Sequence, residues 1–159
     1  MTTAQKNFRV RPLAADQLGE VRRTGRDVRG NPAVRQVARG GEPLRCCLRD
    51  ARAGEELILF GYRPPIAGES PYVEVGPVFA HAADCPGPAA TDSYPADWLG
   101  RAQVLRAYDE RGWIADASVA HDGGDPAAAI AAVLADPAVT QIHSRNIVYG
   151  CFMMVITRD

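Results

Sequence analysis

Residues 103–119 read Gln103-Val104-Leu105-Arg106-Ala107-Tyr108-Asp109-Glu110-Arg111-Gly112-Trp113-Ile114-Ala115-Asp116-Ala117-Ser118-Val119, and their pattern decides the fold class. Two apolar-rich runs, Gln103 to Tyr108 and Trp113 to Val119, flank Asp109-Glu110-Arg111-Gly112, a short connection with a glycine available for a left-handed position. Trp113, Ala115, Ala117 and Val119 share one face and Asp116 and Ser118 the other, as the two-residue period of a strand requires. This is an antiparallel hairpin. It implies a sheet built largely from neighbours in sequence.

Downstream, Asp125-Pro126 supplies an N-cap followed by proline at the first helical position. Ile130, Val133 and Leu134 then make a narrow apolar stripe, and the helix stops near Pro137. Val139 to His143 and Ile147 to Thr157 read as strands, the second apolar enough to be buried on both faces. Upstream, Leu57 to Tyr62 is apolar on both parities and reads as a central strand ended by Pro64-Pro65. A further strand runs from Tyr72 to about Ala80, with Pro77 demoting part of it to an edge or bulge. Pro43 to Arg49 is another, in which the adjacent Cys46 and Cys47 point to opposite faces. Residues 84–97, with Pro86, Gly87, Pro88 and Pro95, form a long loop, a class of segment that often carries function. Nearer the start, Asn7 to Arg11 is an edge strand. Leu13 to Arg23 is a short helix with Ala14, Leu18 and Val21 on one face and Gly25 as its stop, and a polar loop reaches Pro32. The sum is a single α+β domain over residues 1–159, with a mainly antiparallel sheet of about seven strands and two or three short helices. A mixed sheet, with the helix at 126–135 as a crossover, is the alternative.

Composition narrows the function classes. The 159 residues are 47% apolar and 23% charged, which excludes disorder and a disulfide scaffold. A chain of this size builds a core without a metal or disulfide to hold it. Lys6, Arg9 and Arg11 interrupt the first twelve residues before any signal-peptide core begins. The longest apolar stretch, Ile147 to Ile156, is far shorter than the roughly 20 residues a membrane helix needs. A cytoplasmic protein without a membrane partner is expected.

Net charge is −1 but unevenly spread: residues 1–52 carry 12 basic and 5 acidic side chains, residues 53–159 carry 6 and 14. Arg22, Arg23, Arg26 and Arg29 could meet a polyanion, yet no nucleic-acid module accompanies them, and internal compensation is the preferred reading. Cys46, Cys47, Cys85 and Cys151 form no CxxC pair, so zinc-ribbon and thioredoxin-like signatures are absent and most read as buried free thiols.

Polar side chains inside apolar strands are the informative ones, because burying them requires a partner. His143 and Arg145 share a parity about 7 Å apart, an arrangement suited to an anion, while Asn146 points the other way unless a bulge intervenes. Arg106, on one face with Val104 and Tyr108, needs a partner, and an internal carboxylate such as Asp116 or Glu74 is preferred over a ligand. Tyr108 itself reads first as a core aromatic. His81 stands where a strand meets the long loop, a position suited to catalysis. Cys85, just before Pro86, is a candidate accessible thiol beside it. His81-x3-Cys85 also has metal-ligand spacing. A continuous C-terminal strand would hold His143 and Cys151 about 26 Å apart, however, and only a reversal near Asn146 would relax that objection. No metal site and no cofactor is inferred.

Several segments resemble a known family. They are Leu44-Arg45-Cys46-Cys47-Leu48-Arg49-Asp50-Ala51 with Gly54-Glu55 and Leu57 to Pro65; Gly76-Pro77-Val78-Phe79-Ala80-His81 with Cys85-Pro86; Val104-Leu105-Arg106-Ala107-Tyr108-Asp109; and His143-Ser144-Arg145-Asn146 with Gly150-Cys151-Phe152. In this order, over about residues 8–158, they look like the small bacterial proteins grouped as the domain of unknown function 1203 family (DUF1203). The resemblance implies a single-domain bacterial protein. It supplies positions rather than chemistry: His81, Cys85, Arg106, Tyr108, His143, Arg145, Asn146 and Cys151.

The resulting expectation is a domain that binds or acts on a small anionic ligand in a pocket between the 84–97 loop and the sheet. His81 and His143 are its catalytic candidates, Arg145, Arg106, Asn146 and Tyr108 its ligand-binding candidates, and Cys85 a reactive thiol. That reading requires His143 and Arg145 to converge with His81 on one cavity. The alternative is a non-enzymatic homodimeric interaction module built on a sheet edge or face. Polyanion binding ranks third.

Overall fold

The computed structural model describes residues 7–159. The chain opens with β1 (Phe8–Arg11) and helix α1 (Ala15–Thr24), followed by β2 (Val34–Val37), β3 (Pro43–Leu44), β4 (Arg49–Asp50), β5 (Glu56–Tyr62) and β6 (Gly76–His81). A 3-10 turn (Ala96–Trp98) then precedes β7 (Gln103–Tyr108), β8 (Val119–His121), helix α2 (Pro126–Leu134), β9 (Gln141–Asn146) and β10 (Phe152–Arg158). The strands form two five-stranded sheets, ordered β1-β10-β9-β7-β8 and β2-β5-β6-β3-β4. Every named pairing is antiparallel except β3 with β6. The fold is α+β, as the sequence pattern implies. Among the described residues no helix is long and apolar enough to cross a membrane.

β10 joins the two halves of the core. Its Phe152 and Val155 pack with Leu44, Leu57, Phe60, Tyr62 and Val78 of the second sheet and with Leu18 and Val21 of α1. Met153, Met154 and Ile156 pack with Leu105, Ile142 and the α2 residues Ile130 and Val133. A register shift between Phe152 and Met154 lets two consecutive residues face one way before alternation resumes. Burial on both faces, expected for this strand, holds from Phe152 to Ile156.

Both helices follow their local signals. The Asp125 side chain accepts the Ala128 N–H at 3.1 Å with Pro126 opening α2, and Gly25 closes α1 in the left-handed conformation at φ 71°. β8 and β9 each pair antiparallel with β7 from opposite sides, so they run parallel to one another and α2 is the crossover between them.

Five expectations change. The count of about seven strands rises to ten. β2 lies between the polar loop that reaches Pro32 and the strand expected from Pro43, where no element is expected, because its four residues are mostly exposed on a sheet edge and show no buried face. The predicted strand Pro43 to Arg49 is two short strands separated by a turn at 45–48, closed by the Leu48 N–H on the Leu44 carbonyl, with Leu48 at φ 55°. Ile147 to Cys151 is a turn and not strand, with Val148 and Tyr149 exposed, so the chain does reverse after Asn146. The 103–119 hairpin closes as predicted, with the Asp109 N–H on the Trp113 carbonyl and Gly112 at φ 78°. Ser118 then folds back onto Ala107 and Ala115, and pairing resumes only at β8, leaving Trp113 and Val119 exposed. Pro77 sits inside β6 without disruption, because β3 reaches β6 only at Phe79 and demands nothing of residue 77.

Two carboxylates fix the end of the long loop to the second sheet: Asp97 accepts the Asp50 N–H at 3.1 Å, and Asp50 makes the larger set of contacts. Asp50 accepts the Trp98 indole N–H at 3.0 Å and both terminal Arg101 nitrogens at 3.1 and 2.6 Å, and Trp98 is fully buried. Asp50→Ala leaves the indole N–H unpaired inside the core and is expected to destabilise the fold by about 2 kcal/mol. Chemical denaturation measures that loss, and limited proteolysis should show new cleavage within 84–101. An unchanged denaturation midpoint would refute the role given to Asp50.

Candidate metal centre

The pairing of β3 with β6 sets up the site. Leu44 lies opposite Phe79, and the Arg45 N–H donates to the Phe79 carbonyl at 2.9 Å. Parallel strands advance together, so two residues further along the turn carrying Cys46 and Cys47 arrives beside His81, the last residue of β6. The His81 N–H points to Cys46 Sγ at 3.3 Å. Four residues later the loop returns Cys85. The ligand atoms of Cys46, Cys47, His81 and Cys85 all lie within 4.8 Å of one another, and among the described residues this is the one such group of His, Cys, Asp and Glu side chains.

The distances match a coordination polyhedron. A tetrahedral zinc with Zn–S of about 2.3 Å and Zn–N of about 2.05 Å has S···S edges of about 3.8 Å and S···N edges of about 3.6 Å. Here the Cys46 and Cys47 sulfurs are 4.0 Å apart, and His81 Nδ1 is 3.6 and 3.9 Å from them. The other ring nitrogen is engaged as well: His81 Nε2 lies 2.7 Å from Glu55 Oε2, and Glu55 is held in turn by both terminal nitrogens of Arg49 at 2.9 Å. Arg49 Nη2 also comes within 3.3 Å of Nε2, but the carboxylate contact is shorter and fixes the proton there. The Nδ1 lone pair is thereby left facing the thiols. A carboxylate orienting a histidine that faces a soft-metal site is the usual outer-shell support of zinc ligands.

Electrostatics agree with three sulfurs crowded into one space. The hydrogen bond from Cys47 draws the Cys46 thiol down to about 5, while the same contact pushes Cys47 up. Burial raises the Cys85 thiol. The bond to Arg49 holds Glu55 well below the usual carboxylate range.

A cleft of about 530 Å³ opens beside the cluster, lined by Cys47 and His81, by Arg49 and Arg52, and by loop residues from Pro86 to Asp97. A cavity therefore does lie between the 84–97 loop and a sheet, with His81 on its wall. The other candidates lie elsewhere. Arg106 (3.5 Å) and Arg145 both meet the Glu74 carboxylate, the internal partner that the sequence reading preferred for Arg106 over a ligand. His143 is buried between Tyr108 and Phe152, at ring-centroid distances of 4.6 and 5.3 Å, with Nε2 on the Pro65 carbonyl at 3.0 Å. Tyr108 is equally buried, which raises its phenol. Asn146 ends β9, its N–H on the Cys151 carbonyl, and lines a separate cleft. The structure thus does not bring His143 and Arg145 together with His81.

Cys46, Cys47, Glu55 and Arg49 were missed as site residues. The inference against a shared metal assumed that adjacent cysteines in a strand diverge, and the turn at 45–48 removes that assumption. His-x3-Cys was the legible half of the signal. Of the basic stretch, Arg22 donates to the His81 carbonyl at 3.0 Å and Arg23 pairs with Glu20 at 2.7 Å.

Burial makes His143 a pH-dependent element of the fold. Its folded value falls from 6.5 to about 4, so it stays neutral in the native chain. Between those values the unfolded chain binds a proton that the folded chain refuses, so stability is full above pH 6.5 and declines as pH falls towards 4. The loss reaches about 3 kcal/mol. Denaturant midpoints measured across this window should fall less steeply in His143→Phe than in the native sequence. Equal slopes would contradict the assignment.

A family model described as "Protein of unknown function (DUF1203)" matches residues 41–158. No curated protein and no solved structure matches the chain. The family match spans well over half of the chain and includes all four clustered ligand candidates, Cys46, Cys47, His81 and Cys85. The chain belongs to the DUF1203 family.

Proposed function

We propose that this protein is a zinc-binding domain, with Zn²⁺ held by the thiolates of Cys46, Cys47 and Cys85 and by His81 Nδ1. The observation that carries the reading is the convergence of these ligand atoms within 4.8 Å, together with the Glu55 carboxylate on the far side of the imidazole. Three sulfurs and one imidazole suit a soft or borderline cation and disfavour magnesium or calcium, which take oxygen ligands.

Four protein ligands close the coordination shell, which is the arrangement of a structural zinc and leaves no position for a metal-bound water. The ion's role is therefore mechanical. It ties the 45–48 turn, the end of β6 and the start of the long loop to one point, and so sets the wall of the 530 Å³ cleft. The 84–101 segment gains a second anchor to add to Asp50.

The purified chain should carry close to one zinc per molecule by elemental analysis. Replacement by cobalt should give thiolate-to-cobalt charge-transfer absorption together with the intense visible bands of tetrahedral Co²⁺. Cys47→Ser and Cys85→Ser should lose metal affinity by tenfold or more while keeping the native circular dichroism, and Glu55→Gln should weaken binding roughly 10–100-fold. Binding of zinc or cobalt no tighter than in a Cys47→Ser/Cys85→Ser double variant would sink the proposal.

A further inference from the structure

A second site lies behind the same turn and shares no ligand with the metal cluster. Arg45 is 2% exposed, and its guanidinium meets only backbone carbonyls: Nε donates to the Phe152 carbonyl at 2.7 Å and Nη1 to the Pro43 carbonyl at 2.6 Å. Arg49, Arg101 and Arg145 each have a carboxylate, Glu55, Asp50 and Glu74 in turn. Arg45 has none within ion-pairing distance among the described residues. Two carbonyl dipoles orient a guanidinium but do not neutralise it, and a buried charge without a counterion is costly.

Arg45 lines a cleft of about 780 Å³. Asn146, Cys151 and Tyr149 from the β9–β10 turn share that lining, as do Arg39 and Glu42. Glu42 is the one carboxylate there, and it is turned to its own loop, where its two oxygens accept the backbone N–H groups of Arg39 and Gly40 at 2.8 Å each. A fixed guanidinium fork with no protein anion, opening on a cleft with a carboxamide and a second arginine at its rim, is chemistry for an oxyanion.

We propose that this cleft binds a small carboxylate or phosphate on the Arg45 guanidinium. The ligand supplies the missing negative charge, Asn146 offers a hydrogen-bonding amide, and Arg39 raises the local anion concentration at the mouth. This places the anionic ligand on Arg45 and Asn146, away from His81 and His143. The inference is independent of the zinc reading and stands or falls separately.

The test is a pair of NMR titrations of the full chain at constant ionic strength, one with inorganic phosphate and one with succinate, following the Arg45 Nε–H and the Asn146 amide. A saturable shift of both signals is the expected result, and the anion that saturates first identifies the source. Arg45→Met should abolish binding but removes two core hydrogen bonds. The exposed Arg39→Glu therefore serves as the second variant: it should keep the native spectrum and weaken binding several-fold. Linear, unsaturating shifts with both anions would overturn the proposal. So would saturation that Arg39→Glu leaves unchanged, or shifts confined to exposed arginines such as Arg23 and Arg26.

Discussion

The functional geometry depends on one short parallel contact, Leu44 of β3 against Phe79 of β6. Every other named strand pairing in the two sheets is antiparallel. This single pairing brings a turn from one part of the chain alongside the end of a strand more than thirty residues later. The turn supplies Cys46 and Cys47, the strand end supplies His81, and the loop that follows supplies Cys85. The strand neighbouring β6 also begins beside Glu55, so the histidine's supporting carboxylate comes from the same local architecture.

Arginine appears repeatedly as an internal connector. Arg101 fastens the loop through Asp50, Arg49 orients Glu55 behind His81, and Arg145 shares Glu74 with Arg106. Arg49 and Arg101 are forked donors, each placing both terminal nitrogens on one carboxylate. Arg45 differs because only backbone carbonyls meet it, and burial pushes it down to about 10, which leaves it charged at neutral pH. The lopsided charge along the chain is thus partly spent on bonds between its basic first third and its acidic remainder, as Arg9–Asp159, Arg49–Glu55 and Arg52–Asp97 show.

Much of the fold is legible from local pattern. The Asp125-Pro126 start, the Gly25 stop, the Gly112 turn and the two-sided apolarity of β5 and β10 are each set by residues within a few positions of one another. The turn at 45–48 is not, because Leu44 to Leu48 reads as a good strand and only the docking of both its ends onto neighbouring strands makes it turn. That one local misreading hides the metal cluster, since it separates two side chains that the turn brings together. His81 and Cys85 were legible because both lie where a strand gives way to a proline-rich loop. Their partners were not, because the register between β3 and β6 is a tertiary fact. His143 and Arg145 share a strand face as expected, but the face is filled by Tyr108, Phe152 and Glu74 rather than open to a ligand.

The central claim is that Cys46, Cys47, His81 and Cys85 form one tetrahedral S₃N shell. Zinc K-edge X-ray absorption on the metal-loaded chain tests it most directly. The account predicts three sulfur scatterers at about 2.3 Å and a single imidazole nitrogen at about 2.0–2.1 Å, with the imidazole's outer-shell scattering lost in His81→Ala. A shell dominated by nitrogen and oxygen, or one unchanged by His81→Ala, would contradict it.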